Sequence, residues 1–449
     1  MKRRSFLEKT SLVGLGLTVN SNKIILPIQA DKKVKLAFIG VGERGRSHVE
    51  QCMYRPDVEI VAIADPDAFA IAETKKMILA ANRKEPAIYA NGNFDFENMV
   101  KRDDIDGVII STPWRWHTPQ AISSMKAGKY TAVEVPVAVT MEECWDLVRT
   151  HEETGSHFMI LENVCYRRDV IAALNMIRKG IFGEMVYAHC GYEHDLREVK
   201  FNNGNNPANT EVEFGEKAYS EAKWRTLESV TRNGDIYPTH GLGPVSEWFN
   251  INRGNRFTHL TSTATKARGL HNYIVEKGGV NHPNANVNFK LGDVVTTVIQ
   301  CHNGENIVMM HDTNLPRPYS LGFRAQGTKG IWEEEGSRIF IEGTSPAHKW
   351  EDWKPYQAKH DHPLWAKFEK DAENAGHGGM DFFVIRAFIE SIKRKVAPPL
   401  DVYDAASLSV VSHLSERSIA EGSTPQAFPD FTKGKWKTNQ PIFGLNDAY

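Results

Sequence analysis

Along the first third of the chain the apolar residues come in short unbroken runs. VKLAFI begins at Val34, VEIVAIAD ends at Asp65, and IDGVIISTP (105–113), YTAVEVP (130–136) and HFMILEN (157–163) follow, the last read as a sixth strand. Runs of this length without alternation suit strands buried on both faces. Between them, the stretch after Gly45, the segment 120–128 and EECWDLVRTHEETG (142–155) carry helical spacing, the last with Gly155 as its stop. Strand and helix thus alternate over 33–163, the pattern of a parallel, doubly wound sheet. Beyond residue 164 the pattern changes. DVIAALNMIRKGIFGE (169–184) reads as a helix, and alternating runs follow at 184–195, 256–267, 293–313 and 337–343. Asn303-Gly304 between two such runs predicts a type I′ hairpin. These runs predict a large, open, mainly antiparallel sheet with one solvated face. DFFVIRAFIESIKRK (381–395) reads as an amphipathic helix halted by Pro398-Pro399.

The turn between the first two strands carries Gly40, Gly42 and Gly45 and opens a helix. This is the layout of a dinucleotide-binding βαβ unit. Gly40 permits the tight turn, Gly42 lets the backbone approach a pyrophosphate, and Gly45 lets helix and strand pack closely. The free N–H groups of the helix N-terminus would hold the pyrophosphate. Asp65, twenty residues beyond Gly45, is placed to accept hydrogen bonds from the adenosine ribose, and its charge repels a 2′-phosphate, so NAD is expected rather than NADP. The fold class is α/β: an N-terminal Rossmann domain (33–163), then an α+β domain (164–449).

Composition narrows the classes. At 449 residues two domains are expected, and 41% hydrophobic with 24% charged residues is the balance of a globular chain. A net charge of −2 gives no reason to expect nucleic acid as a partner. Cys52, Cys144, Cys165, Cys190 and Cys301 are scattered with no C-x-x-C spacing, so neither a disulfide framework nor a cysteine metal site is expected. No H-x-x-x-H occurs, and no metal is expected. The N-terminus opens with Arg3-Arg4, Ser5, Phe6 and Leu7, then a mildly apolar run from Ser11 to Val19. It resembles a bacterial twin-arginine export signal spanning 1–30, with cleavage after Ala30. The expectation is a periplasmic or secreted protein that uses the twin-arginine machinery and is exported folded, with its nucleotide loaded beforehand.

Longer motifs carry a family resemblance. The S-T-P at 111–113 with His117, the strand end Glu134-x-Pro136 and the open-sheet second domain resemble the glucose–fructose oxidoreductase and inositol dehydrogenase superfamily. WRWH (114–117), LENVCYRRD (161–169), GYEHDLR (191–197), EFGEKAYSEAKWRT (213–226), YPTHGLGP (237–244), KARGLH (266–271), RPYSLGF (317–323) and GHGGMD (376–381) resemble one branch of it, glycoside hydrolase family 109, the NAD-dependent α-N-acetylgalactosaminidases. Dehydrogenases of the superfamily usually carry E-K-P where this chain has Glu134-Val135-Pro136. The missing lysine counts against a plain dehydrogenase.

The resemblance implies a retaining, redox-neutral hydrolysis. NAD+ takes a hydride from C3 of the sugar, the ketone acidifies C2–H, the C1 group is expelled, water adds, and the hydride returns. It implies His240, Tyr192 and Tyr319 as catalytic residues. Tyr237, Pro238, Thr239 and Arg225 join those three as substrate contacts. Gly40, Gly42, Arg44, Gly45, Asp65, Trp114, Arg115, Trp116, His117, Glu134, Val135 and Asn163 would bind the cofactor, with the WRWH residues in a strand-end loop flanking the nicotinamide. A phenol beside a cation is expected to ionise more readily than a free one. His377 is either a site contact or a histidine satisfied by a glycine turn. The partner is a glycan ending in N-acetylgalactosamine, and the open sheet suggests a homodimer. Two alternatives stand beside this reading: a sugar oxidoreductase with net redox turnover, and a sugar-binding protein that keeps NAD as a structural element.

Overall fold

The unbroken apolar runs form one parallel sheet in the computed structural model, which describes residues 33–202, 211–373 and 375–448. The twin-arginine segment lies outside the described residues. Strands β1 (Val34–Ile39), β2 (Val58–Ala64), β3 (Ala87–Tyr89), β4 (Gly107–Ile110), β5 (Tyr130–Val133) and β6 (Phe158–Ile160) pair in the order β3-β2-β1-β4-β5-β6. Every pairing in this sheet is parallel. The order reverses between β1 and β4, and ligands of doubly wound sheets bind outside the carboxyl ends of the strands at such a point. Strand β3 has only three residues, none of them buried, which is why no hydrophobic run marks it.

The helix Glu43–Met53 follows the glycine turn directly. A Cβ on Gly45 would lie 2.0 Å from the Gly40 carbonyl oxygen, so helix and turn are in contact here as the spacing of glycines predicted. The helix Met141–Thr154 starts in a capping box between Thr140 and Glu143 and ends at Gly155 with φ 69°. One local expectation is corrected. Trp114, Arg115, Trp116 and His117 form the first turn of the helix Trp114–Lys126 rather than a loop. Pro113 disfavours helix at Thr112, and with its own ψ at 144° it stands as the N-cap, so the helix starts directly after it. Burial of Trp114 (4% exposed) against Trp224 and Tyr237 then holds the first turn in place.

The second sheet comprises β7 (Met185–Glu193), β8 (Phe257–Ala264), β9 (Val294–Cys301), β10 (Asn306–Asp312), β11 (Arg324–Gly327), β12 (Gly330–Glu333), β13 (Arg338–Ile341), β14 (Glu351–Asp352) and β15 (Gln426–Ala427). Their order is β14-β13-β12-β11-β7-β10-β9-β8-β15, and the β10–β7 pair is parallel while the others are antiparallel. Burial alternates along β9 and β10, which leaves one face packed and the other partly open. The β9–β10 hairpin forms at Asn303-Gly304, but not through a type I′ turn. Of the two residues only Gly304 has positive φ (105°), and Gly304 N–H donates to Cys301 O while Cys301 N–H donates to Glu305 O. That is a three-residue loop closed by a glycine bulge.

The chain finally returns to the first sheet. A Cβ on Gly107 would lie 2.6 Å from Ile392 Cδ1, so the helix Met380–Arg394 lies against β4. It stops at Lys395 in a left-handed conformation (φ 56°), ahead of Pro398-Pro399 rather than at them. The helix Val402–Ala420 packs beside β6 and the helix Met141–Thr154, and Ser409 Oγ accepts the Val137 N–H at 3.2 Å. With Gly45 enclosed this tightly, Gly45→Ala should destabilise the protein by about 2 kcal/mol or more. Thermal melting checks this, and an unchanged Tm would mean that the helix can move off the turn at no cost.

Candidate active site

A cleft of about 730 Å³ opens at the carboxyl ends of β1, β2, β4 and β5 and runs on to the end of β7. In its nucleotide half, Gly40, Gly42 and Asp65 line the wall. A Cβ placed on Gly42 meets nothing within 4 Å, so the turn backbone faces open space where a pyrophosphate can approach. Asp65 anchors that turn: its Oδ2 accepts the Val41 N–H at 2.8 Å and its Oδ1 accepts the Asp67 N–H at 2.8 Å. Burial pushes its carboxyl up, against those two donors. Open backbone at the turn to donate to a pyrophosphate and a carboxylate beyond β2 to accept from the ribose are what an adenosine dinucleotide needs, so the residues fit NAD.

Arg44 is tied to acids rather than held free. Its Nε donates to Glu134 at 2.5 Å, and its Nη1 and Nη2 donate to Asp381 at 2.7 and 3.0 Å. Glu134 also accepts from the fully buried His48 at 2.7 Å, and its other oxygen accepts the Val135 N–H at 3.0 Å. Asp381 further accepts Asn163 Nδ2 at 2.8 Å and lies 2.8 Å from His377 Nδ1. Burial alone would raise both carboxyls, but the neighbouring Arg44, with His48 at Glu134 and His377 at Asp381, holds them well below the usual carboxylate range. Trp114, Trp116, His117, Glu134, Val135, Asn163 and His377 all line the cleft. His117 joins two strand ends, its nitrogens 2.7 Å from the carbonyl oxygens of Pro136 and Thr112.

The other half is aromatic. Tyr237 stacks on Trp114 with ring centres 5.5 Å apart, and the Arg225 guanidinium lies over both rings, 4.8 Å from Tyr237 and 5.2 Å from Trp114. Tyr192, near the end of β7, is 4.7 Å from Tyr237 and 5.4 Å from His240, ring to ring. His240 sits in the first turn of the helix Thr239–Trp248. That helix comes close because a Cβ on Gly241 would lie 2.7 Å from Gly191 N, and one on Gly243 2.7 Å from Glu162 Cγ. His240 Nδ1 lies 2.7 and 3.0 Å from the two oxygens of Glu162, which is fully buried. A buried carboxylate on one ring nitrogen fixes the tautomer and supports the imidazolium when the other nitrogen takes a proton.

Several expected site residues stand elsewhere. Gly45 is packed against Gly40 behind the turn. Arg115 points away and pairs with Glu228 at 2.8 Å, its side chain 63% exposed. Pro238 and Thr239 are buried at the start of the helix and do not reach the cleft; they place Tyr237 and His240 instead. Tyr319 stands outside the cleft lining, 4.9 Å ring to ring from His194 and 6.5 Å from Tyr192. The expected downward shift of a phenol is also reversed: burial pushes Tyr192 and Tyr237 up, with Arg225 opposing it in both. Glu162, His194 and Asp381 escaped the sequence reading although each lies inside a quoted motif. Glu162 carried a signal, an acid directly after an apolar strand. His194, whose Nδ1 is 3.1 Å from Tyr192 Oη, lies two residues along from it.

The comparisons agree with this geometry. Residues 34–161 match the family model described as "Oxidoreductase family, NAD-binding Rossmann fold", and residues 166–438 match "Glycosyl hydrolase 109, C-terminal domain". An α-N-acetylgalactosaminidase of Tannerella forsythia is 49% identical over 464 residues, covering 99% of each chain. Another, of Shewanella oneidensis, is 40% identical with 98% of each covered. The chain belongs to glycoside hydrolase family 109. Levoglucosan dehydrogenase solved with NADH and L-sorbose shares the fold with a TM-score of 0.63 at 18% identity, over 89% of this chain and 100% of that one. A scyllo-inositol dehydrogenase from Lactobacillus casei, solved with NAD(H) and scyllo-inositol, does so with 0.59 at 14%, over 88% and 99%. The family 109 protein is accordingly an NAD-dependent glycoside hydrolase, with its cofactor held by the Rossmann domain.

Two outcomes test the site. Glu162→Gln leaves His240 without its carboxylate and should lower kcat about 100-fold or more while changing KM by less than about threefold. Steady-state kinetics separate the two, and an unchanged kcat would remove His240 from proton transfer. Asp235, whose Oδ1 accepts the Tyr237 N–H at 3.2 Å, is fully enclosed, and burial pushes its carboxyl up to about 7 against that donor. The stability this adds is full below about pH 4, where the unfolded group titrates, and is lost as pH rises through about 7. Asp235→Asn should therefore melt above the parent at pH 8, by about 2–4 kcal/mol in stability, with the gap closing toward pH 4.

Proposed function

We propose that this enzyme is a retaining α-N-acetylgalactosaminidase that works by transient oxidation of the sugar, and that it is exported folded with its nucleotide aboard. The observation that carries the reading is the meeting of His240, backed by buried Glu162, with Tyr192 in the same cleft as the NAD-binding turn. NAD, held by the turn of Gly40 and Gly42 with Asp65 beyond it, would supply a reversible hydride acceptor for C3 of the sugar. His240 takes the proton of the C3 hydroxyl through its free nitrogen, and Glu162 stabilises the imidazolium so formed. With C3 a ketone, the C2 proton becomes acidic enough for Tyr192 to remove, and His194 at 3.1 Å accepts the phenol proton. Arg225, which lines the cleft, contacts the sugar and its acetamido group. The C1–oxygen bond breaks and the aglycone leaves as the alcohol, with its proton made good by the water whose hydroxyl adds to C1 on the same face. Reversal of the proton transfers at C2 and C3 completes hydrolysis with retention.

Two features favour this over a carboxylate-pair glycosidase or a dehydrogenase. Glu162 has both oxygens within 3.0 Å of His240 Nδ1, so it serves the imidazole rather than standing free as a nucleophile. Val135 occupies the place of the dehydrogenase lysine. The relatives named α-N-acetylgalactosaminidase support the substrate class.

Denaturing the purified enzyme should release NAD, and a nitrophenyl α-N-acetylgalactosaminide should be hydrolysed with no cofactor added. In D2O the sugar product should carry deuterium at C2. Product with protium alone at C2 would sink the elimination route, and steady growth of absorbance at 340 nm with sugar and NAD would show net redox turnover instead.

A further inference from the structure

The nucleotide half of the cleft has a second wall that the reaction does not explain. The segment from Gly215 to Arg225 belongs to the second domain, and its Glu216, Ser220, Glu221 and Lys223 line the cleft beside Asp65 and Asp67. It is held at two places. Midway along, Asn202, itself buried, donates to Tyr219 O at 2.9 Å and accepts the Tyr219 N–H at 2.9 Å. Near its C-terminal end Trp224 meets Trp114 edge to face at 5.1 Å.

Its tip reaches the Rossmann half at two points. The Tyr219 ring stands edge-on to Phe69 at 6.3 Å, and Ser220 Oγ donates to Glu43 Oε2 at 3.1 Å. Ser220 holds φ 52°, a left-handed conformation that non-glycine residues keep only where their surroundings impose it. Glu43 is the first residue of the helix after the glycine turn, and Phe69 lies in the first turn of the helix after Asp65. The two contacts therefore fall on the elements that hold the pyrophosphate and the ribose. Phe69 is 55% exposed, so it makes this contact without belonging to the core. Neither Phe69 nor Tyr219 lines the cleft.

We propose that Gly215–Arg225 is a strap across the nucleotide half of the cleft, and that the Phe69–Tyr219 and Glu43–Ser220 contacts are the latch that keeps NAD resident between turnovers. Both contacts are exposed and individually weak, which suits a closure that must open once for loading. The strap also carries Arg225 at its base, so the closure that retains the nucleotide orders the sugar half as well. The inference rests on NAD occupying the cleft, not on which glycan is cleaved.

The experiment uses the full chain and reads NAD without turnover. Holoenzyme carrying Phe69→Ala and Tyr219→Ala is mixed with excess radiolabelled NAD and exchange is followed by rapid filtration. Loading is then measured by tryptophan quenching on adding NAD to full chain from which the nucleotide has been stripped. Removing the latch should raise the release rate about tenfold and the loading rate by a similar factor, and Ser220→Ala should raise both by about threefold. Release that quickens with loading unchanged would mean that the two rings stabilise bound NAD without gating it, and would overturn the strap. Exchange at the parental rate in both variants would overturn it too. A protein that binds NAD but hydrolyses no N-acetylgalactosaminide gives the same readout, so failure of the glycosidase reading is distinguishable from failure of the strap.

Discussion

The buried charge cluster around Arg44 is the constraint on which the rest of the architecture depends. One guanidinium joins Glu134 at the end of β5, Asp381 at the start of the helix Met380–Arg394, and the glycine turn that carries Arg44 itself. Charges at such depth are tolerated only when each is paired, and removing one partner costs about 3–5 kcal/mol because the other is left uncompensated. Segments more than 300 residues apart in sequence are thereby held to one geometry. His48, Asn163 and His377 extend the set, so the floor of the nucleotide half is one continuous polar network.

The sugar half is ordered by different means. Its side chains are aromatic, and their positions follow from the close approach of the helix Thr239–Trp248 to β7 at Gly241 and to Glu162 at Gly243. Packing sets where the rings stand, and single hydrogen bonds then set what they can do. Glu162 gives His240 a fixed tautomer, and His194 gives the Tyr192 hydroxyl a proton partner. The two halves meet at one cleft, which brings the nucleotide turn and the Tyr192–His240 pair within reach of a single ligand, as effective proximity requires.

How far the chain could be read in advance varied with the range of the interaction. The parallel strands, the helix stop at Gly155 and the close packing at Gly45 were all legible, because each depends on residues within a few positions of one another. The same holds for the hairpin at Asn303-Gly304, although its turn type was misjudged: the pattern marks the reversal, while the number of loop residues is decided by how β9 and β10 register. Arg115 and Trp116 are adjacent, yet one faces Glu228 and the other the cleft, a difference set by helical rotation once Pro113 fixes the start of that helix. Pro238 and Thr239 were expected at the sugar for their place in a motif, and they act instead as the backbone that aims Tyr237 and His240.

Taken alone, the sequence determined the Rossmann pattern, the nucleotide fingerprint and the family, since periodicity and motif spacing record local backbone requirements. Only the tertiary structure decided which acids and imidazoles meet. Glu162 and His240 are 78 positions apart and Arg44 and Asp381 are 337 apart. Their pairing energies exist only after burial has removed the water that would otherwise screen each charge. The same burial reversed the expected shift of Tyr192, because a phenol within reach of a cation ionises more readily only where desolvation does not outweigh the attraction.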